Sequence, residues 1–431
     1  MNRPCLLRRL YAAAAPAAAA LLPLAAPFSA KLREGVRERR GLLPRLLALS
    51  GELRGALWFH AASVGEYEQV RPVLAELRRR GHGPLVVSHF SPSGARYARR
   101  SPEGDRHVYL PWDTPAAMQR LVTAWRPRLL VFAKYDCWPN LVAAARHAGV
   151  PAALAAASLP PRSWRARPPG RSLFRCVADD LSLVAAAWPR DAAQFRRLGT
   201  TAPVTVAGDP RAEQVLRRLR AAAGDPLVQA VVRWRPRRVV LGSTWPPDEK
   251  LWLPLLPRLL ADDPGLGIVI APHEPSPRRL GGIAARLDGL GIAHRRLDAA
   301  AADSDAAPVL LVDRVGVLAG LYTGAVMAHV GGGFGDGVHS TLEPAGAGAP
   351  VTCGPRMAAA ADAAALREAG ALTVVRGPDD LAAAVKRWLG DPAARERAAA
   401  AAGAVVAGQA GAAARTADLL EELLARPALS R

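Results

Sequence analysis

Twice along this chain, short apolar runs alternate with stretches of helical pattern, and that alternation restricts the fold more than any other feature. Between residues 56 and 207 the runs are ALWFHA, PLVVSH, RLLVFA, PAALAA, LSLVAAA and VTVAG. After an arginine-rich helical segment at residues 211–235 come RVVLGS, LGIVIAP, PVLLVD, AVMAHVGG, APVTCG and ALTVV. Such runs, separated by helix-length segments, read as strands of a parallel sheet covered by helices. The expected fold class is therefore α/β with two Rossmann-like, doubly wound domains, and 431 residues suffice for two cores. The expected division is residues 1–40 as a hydrophobic anchor with a basic flank, 41–208 as the first domain, and 209–431 as the second, closing in Ala- and Leu-rich helices over 379–425. Open α/β sheets bind ligands at the carboxyl ends of their strands, so the chemistry is expected in a cleft between the domains.

The second domain contains the strand-like AVMAHV followed by GGGFGDGVHSTLEPAGAGAPVTCGP. Gly331, Gly332, Gly333, Gly335 and Gly337 let the backbone adopt positive φ and approach a ligand closely. Ser340 or Thr341 can cap a helix beginning near Leu342, and a helix start attracts anions. His339 and Glu343, four residues apart, could both face the cleft and offer a nitrogen to phosphate and a carboxylate to ribose hydroxyls. A mobile surface loop is the alternative. The order of glycines does not fit the dinucleotide fingerprint. LGSTW at residues 241–245 and IAPHE at 270–274 likewise read as strand ends, bringing Gly242, Ser243, Pro272, His273 and Glu274 to the same expected pocket.

In the first domain WFHAASVGE carries a strand into a helix, with Glu66 at the junction. A carboxylate there can accept a proton from an attacking hydroxyl, provided the helix start does not depress its pKa; a first-turn helix charge is the other reading. His60 and Ser63 could supply supporting hydrogen bonds, or be a strand-end histidine and a helix cap.

Lys plus Arg number 57 against 37 Asp plus Glu, a formal charge of +20, which favours anionic partners or reflects base composition in an Ala/Arg-rich chain. No zinc, RNA-recognition or helix-turn-helix pattern accompanies it, which argues against a nucleic-acid partner. The scattered Cys5, Cys137, Cys176 and Cys353 suggest neither a disulfide framework nor a metal site, and hence a reducing compartment. Residues 10–30 carry no charge and could reach across a bilayer, although Pro16, Pro23 and Pro27 argue against a straight helix. Arg3, Arg8 and Arg9 precede this run; Lys31, Arg33, Arg37, Arg39 and Arg40 follow it. It reads as an anchor or interfacial segment touching anionic lipid, with the body kept in the cytoplasm, or else as a cleaved secretory signal.

WFHAASVGE, FAKYDCWPN, LGSTWPPDE, APHE and GGGFGDGVHSTLEPAGAGAPV with its CGP occur in the order seen in 3-deoxy-D-manno-octulosonic acid (Kdo) transferases, and the likeness spans essentially the whole chain. The resemblance implies a glycosyltransferase B-type fold of two Rossmann-like domains. It implies transfer of Kdo from CMP-Kdo to a lipid A precursor at the inner membrane, with the catalytic domains facing the cytoplasm and no cofactor. By this similarity Glu66 corresponds to the catalytic base. Gly242, Ser243, Pro272, His273, Gly332, Gly333, Gly337, His339, Ser340 and Glu343 fall in the donor-binding half, and His60, Ser63, Gly65, Lys134 and Asp136 on the acceptor or supporting side. The chain departs from the common pattern where Lys134-Tyr135-Asp136-Cys137 replaces a glutamate-rich segment and where Pro272-His273-Glu274 replaces Pro-Arg-His. Arg278, Arg279 or Lys134 could compensate for the arginine at the phosphate. Only one phosphate leaves in such a transfer, so an inverting, metal-independent displacement is expected, and Asp303-Ser304-Asp305 reads as a solvated loop rather than a metal pair. Another B-type glycosyltransferase using a UDP- or GDP-sugar is the alternative.

Overall fold

The strands of the first half are Leu57–His60 (β1), Leu85–His89 (β2), Arg106–Tyr109 (β3), Leu129–Ala133 (β4), Ala152–Ala157 (β5), Leu183–Ala186 (β6) and Val204–Val206 (β7) in a computed structural model that describes residues 5–91, 94, 103–297 and 307–426. They pair in parallel in the order β3-β2-β1-β4-β5-β6-β7. Side-chain alternation divides β1 between two layers: Trp58 packs with Val86, Leu130 and Phe132 on one face, while Leu57 and Phe59 join Leu85, Val87 and Val131 on the other. Helix Val64–Arg79 covers the second face through Tyr67, Val70, Val73, Leu74 and Leu77.

The second half carries Arg238–Thr244 (β8), Gly267–Pro272 (β9), His294–Arg296 (β10), Val309–Leu311 (β11), Met327–Val330 (β12), Val351–Cys353 (β13) and Leu372–Val374 (β14). Their order is β10-β11-β9-β8-β12-β13-β14, again parallel. Strand order reverses direction at β1/β4 and at β8/β12, the positions where open α/β sheets leave a crevice.

The chain divides into two compact units, Met1–Arg211 with Gly411–Arg431, and Ala212–Ala410. The closing helix Ala412–Ala425 therefore departs from the expected division at 209–431. Its apolar stripe of Ala413, Ala417, Leu420 and Leu423 fills the same layer as helix Val64–Arg79, and its Asp418 and Glu421 both meet Arg80 at 2.6 Å.

Residues Leu6–Ala25 form one helix with Pro16 and Pro23 inside it, followed by a turn at Ala26–Phe28 and a helix Ala30–Arg39. The prolines do not break the segment, each removing a single backbone donor, and the body holds the helix at its N-terminal end. A disulfide joins Cys5 to Cys176, Arg8 pairs with Asp180, and the Tyr11 hydroxyl donates to Asp113 at 3.1 Å. The disulfide corrects the expectation of unpaired cysteines, which spacing could not anticipate across 171 residues. Arg39, grouped by sequence with the lipid-facing cluster, is instead buried. Its guanidinium donates to the carbonyls of Leu110, Gly35 and Phe90 and lies 4.2 Å from the Phe90 ring and 4.3 Å from that of Trp112. Arg37 and Arg40 remain exposed; Arg3 and the Asp303-Ser304-Asp305 segment lie outside the described residues.

Candidate active site

In the first unit β1 is fully buried and delivers the chain through Ala61 and Ala62 to Ser63, the cap of helix Val64–Arg79. Ser63 and Glu66 form a reciprocal capping box: Ser63 N donates to Glu66 Oε2 at 3.1 Å, and Glu66 N donates to Ser63 Oγ at 3.4 Å. The box holds the carboxyl at the strand-to-helix junction, where only 8% of the residue is exposed. Burial pushes its pKa up to about 7, and Asp136 pushes the same way against Lys134 and the amides of Ser63 and Ala62. The helix start thus loses to desolvation, and Glu66 is poised near neutrality, where a general base is most effective.

Lys134, Tyr135 and Asp136 follow β4. Lys134 takes φ +66°, an uncommon conformation for a side-chain-bearing residue, and its Nζ lies 5.0 Å from the Tyr135 ring centroid. Asp136 accepts from Arg165 at 3.0 Å, and the same guanidinium lies 4.8 Å from the Tyr135 ring. Burial raises the Asp136 carboxyl, with Arg165 opposing it. His60 serves packing: its Nδ1 lies 2.8 Å from Ser88 Oγ, and burial, with His89 and Arg39, pushes its pKa down to about 3. Gly65 is exposed, and a side chain there would meet nothing within 4 Å.

Next to Ser63 lies a cavity of about 760 Å³, lined by one stripe of helix Leu6–Ala25 (Tyr11, Ala14, Ala15, Ala18, Ala19, Leu22), by helix Ala30–Arg39, and by Phe90, Trp112 and Trp138. Alanines along that stripe leave room that larger side chains would fill. On its outer face Leu6, Leu10, Leu21 and Leu24 are exposed, as is Phe28 in the turn that follows.

In the second unit the ends of β8, β9 and β12 meet. The backbone of Gly331 lies so close to Ser243 and Thr244 that a Cβ would overlap them, and Gly331 N donates to Gly242 O at 2.9 Å. Gly242 faces the Tyr322 ring and is a packing glycine. Ser243 adopts φ +51°. The following turn is rigid: Gly335 N and Gly337 N donate to Gly332 O, His339 N to Gly331 O, and Gly332 N to Asp248 Oδ2 at 3.1 Å. Most of the turn's amides are therefore engaged within the protein, and the side chains at its rim, His339 and exposed Ser340 among them, are what it presents.

Thr341 does not cap helix Leu342–Gly346; its hydroxyl donates to Asp362 at 2.9 Å. Glu343 turns to Arg218 at 3.2 Å. His339 joins His273, which follows Pro272 at the end of β9, with ring centroids 4.1 Å apart, and Trp245 Nε1 donates to His339 Nε2 at 2.9 Å. Burial, then His273, holds the His339 pKa below its ordinary value, with Asp248 opposing.

Several residues here escaped the sequence reading. Asp248 bonds Trp245 N, Gly332 N and the buried His329, which reaches Thr352 Oγ1 with its other nitrogen. Asp248 stands three residues past Trp245 at the start of helix Pro246–Trp252, a capping position legible in TWPPDE. Arg279, considered as a phosphate ligand, is held by buried Glu249. Arg356 brings a positive charge to the turn instead, donating to Gly335 O at 2.8 Å.

Residues 34–214 match the family model described as 3-Deoxy-D-manno-octulosonic-acid transferase (kdotransferase). A 3-deoxy-D-manno-octulosonic acid transferase of Bordetella pertussis is 31% identical over 86% of this chain and 88% of its own length. Its counterpart in Chlamydophila psittaci is 29% identical over 71% of each. Among solved structures, UDP-GlcNAc 2-epimerase from Neisseria meningitidis bound to UDP-GlcNAc superposes with a TM-score of 0.61 at 13% identity, over 85% of this chain and 99% of that one, a likeness of fold. With an α/β fold of two parallel sheets and a relative this similar along nearly its whole length, the chain belongs to the 3-deoxy-D-manno-octulosonic acid transferases.

Proposed function

We propose that the protein moves Kdo from CMP-Kdo to a hydroxyl of a lipid A precursor, with inversion and without a metal ion, as a step in building the inner core of lipopolysaccharide. Glu66 accepts the hydroxyl proton while the acceptor oxygen attacks the anomeric carbon on the face opposite CMP. The bond from that carbon to the phosphate oxygen breaks, and its electron pair leaves on CMP. The second unit supplies the donor contacts through His339, Ser340 and Arg356. A single leaving phosphate is within the capacity of such groups.

The observation that carries this reading is the buried Glu66 carboxyl, poised at a pKa of about 7, one helical turn from a cavity whose roof is an apolar helix. A lipid acceptor suits that cavity. The helix Leu6–Phe28 is long and apolar enough to cross a membrane, but it is tied to the body at Arg8 and Tyr11. An interfacial position on the inner membrane, body on the cytoplasmic side, accords with its exposed leucines and with the basic residues Lys31, Arg33, Arg37 and Arg40 that follow. The test is incubation with a CMP-Kdo generating system and tetra-acylated lipid A precursor, followed by mass analysis, with CMP, UDP and GDP as competitors. Inhibition by UDP or GDP but not CMP, with no Kdo added to the lipid, would replace this reading by a different sugar nucleotide.

A further inference from the structure

Three aromatic rings stack at the carboxyl end of the second sheet. Trp245 lies 5.0 Å from His273, and His273 lies 4.1 Å from His339 with 13° between the planes. The indole N–H of Trp245 is directed at His339 Nε2, 2.9 Å away. An indole nitrogen only donates, so His339 Nε2 must hold a lone pair, and the one ring proton of the neutral imidazole lies on Nδ1.

We propose that Trp245 is a positioning residue of the donor site: it fixes His339 as the neutral Nδ1–H tautomer, so that the anionic nucleotide sugar meets an uncharged hydrogen-bond donor there. The inference rests on reading the glycine turn as the donor site.

The surroundings agree. A second proton on His339 would set Nε2–H against the indole N–H, and it would place a cation face to face with the His273 ring. The opposing influence is Asp248, but its oxygens are engaged by His329 Nε2, Trp245 N and Gly332 N. The turn's own charged side chain is exposed Asp336, Arg356 is held against the turn at Gly335 O, and beside His273 stands exposed Glu274. Positive charge for the phosphate then comes from Arg356, while His339 keeps one donor of fixed direction across the range in which a free imidazole would titrate. Gly332, at φ +90°, leaves space for this ring, since a Cβ there would come within 3.1 Å of His339 Cδ2.

The experiment uses the full chain labelled with 15N-histidine. Long-range 1H–15N spectra at pH 7 report which ring nitrogen carries hydrogen, and His339→Ala identifies the resonances. The expected spectrum shows His339 protonated on Nδ1 alone. An Nε2–H tautomer, or an imidazolium at pH 7, overturns the proposal without need of any further variant. Trp245→Phe keeps an aromatic ring and removes the N–H. In it His339 should sample both tautomers and titrate nearer the ordinary imidazole range, and affinity for CMP relative to wild type should rise about tenfold between pH 7.5 and 5.5, as a charged donor replaces a neutral one. Taking the ratio at each pH cancels the titration of the CMP phosphate. A ratio that stays level with pH overturns the proposal. If the tautomer is as expected but CMP leaves the His339 resonances unmoved, the donor-site reading itself fails, and the role of Trp245 in that site falls with it.

Discussion

Glu66 closes a capping box at a helix start and is buried there, and the two circumstances pull its carboxyl in opposite directions. The helix start favours the charged form, while burial and Asp136 favour the neutral one and raise the pKa from 4.5 to about 7. The folded carboxyl keeps its proton to higher pH than the unfolded one, so the folded chain binds more protons between those values. Stability present below pH 4.5 is lost as pH rises through about 7. The loss amounts to about 3 kcal/mol at full ionisation. Glu66→Gln preserves the box, since Gln can accept from Ser63 N, and removes the charge. It should lower turnover by about 10²–10⁴-fold and yet unfold at a higher temperature than wild type at pH 8, the difference vanishing by pH 4; melting curves at both pH values, with an assay at pH 7.5, check this. Wild-type turnover in the variant would remove Glu66 as the base. The position of this carboxylate was legible in WFHAASVGE, but its pKa was not, because the burial and the Asp136 and Lys134 charges that set it come from tertiary packing. The same limit applies to the pair His339 and Glu343. Sequence spacing placed both toward a ligand, whereas the structure gives Glu343 to Arg218 and leaves His339 at the rim. Calorimetry with CMP should therefore find His339→Ala weaker by about three- to tenfold, the loss of one hydrogen bond, and Glu343→Ala closer to wild type.

At the scale of elements, the strands that the sequence hid are informative. β3 (RHVY) and β10 (HRR) each lie at the edge of a sheet and pair on one side. An edge strand need not be apolar on both faces and is often charged, which discourages pairing with other chains. Periodicity therefore finds the apolar strands, the opposite edges β7 and β14 among them, and passes over these two charged ones. The glycine turn was legible as a place of close backbone approach, but which glycine is needed where depends on the partner strand. A Cβ at Gly333 would come within 2.6 Å of Gly354 N on the chain leaving β13, whereas one at Gly335 would have nothing nearer than 3.7 Å. Gly333→Ala should thus destabilise the second unit by about 1–3 kcal/mol, as overpacking does, and weaken CMP binding by displacing the turn. Gly335→Ala should stay within about 1 kcal/mol of wild type. Denaturant midpoints for the two variants, measured side by side, test the assignment; equal losses would mean that the turn does not approach β13 as described.

For the whole molecule, the alternating runs announced two sheets, but not where the chain's two ends would go. An alanine- and leucine-rich helix at the C-terminus reads the same whichever unit it covers, and only the match between its stripe and the exposed layer over β1, β2 and β4 sends Ala412–Ala425 back to the first unit. The N-terminal helix presents a parallel case with two faces of different use. Its inner stripe of alanines roofs the cavity beside Ser63, and its outer face carries Leu10, Leu21 and Leu24; at its end Phe28 is 90% exposed. If the outer face holds the protein on a bilayer, replacing Leu10, Leu21, Leu24 and Phe28 together by Gln should leave the roof, the disulfide and the Tyr11–Asp113 bond in place. Partition onto vesicles should fall by more than about tenfold, since each buried leucine or phenylalanine contributes roughly 1.5–3 kcal/mol. Transfer to acceptor embedded in vesicles should slow accordingly, while transfer to detergent-dispersed acceptor stays near wild type because the cavity and Glu66 are untouched. Salt should weaken what binding remains if the exposed Lys31, Arg33, Arg37 and Arg40 contribute to it through anionic lipid. Vesicle flotation across a salt series, paired with the two assays, separates the outcomes: unchanged flotation would mean that the outer face is not the membrane contact, and an equal loss in both assays would mean that the helix acts on the site rather than on location.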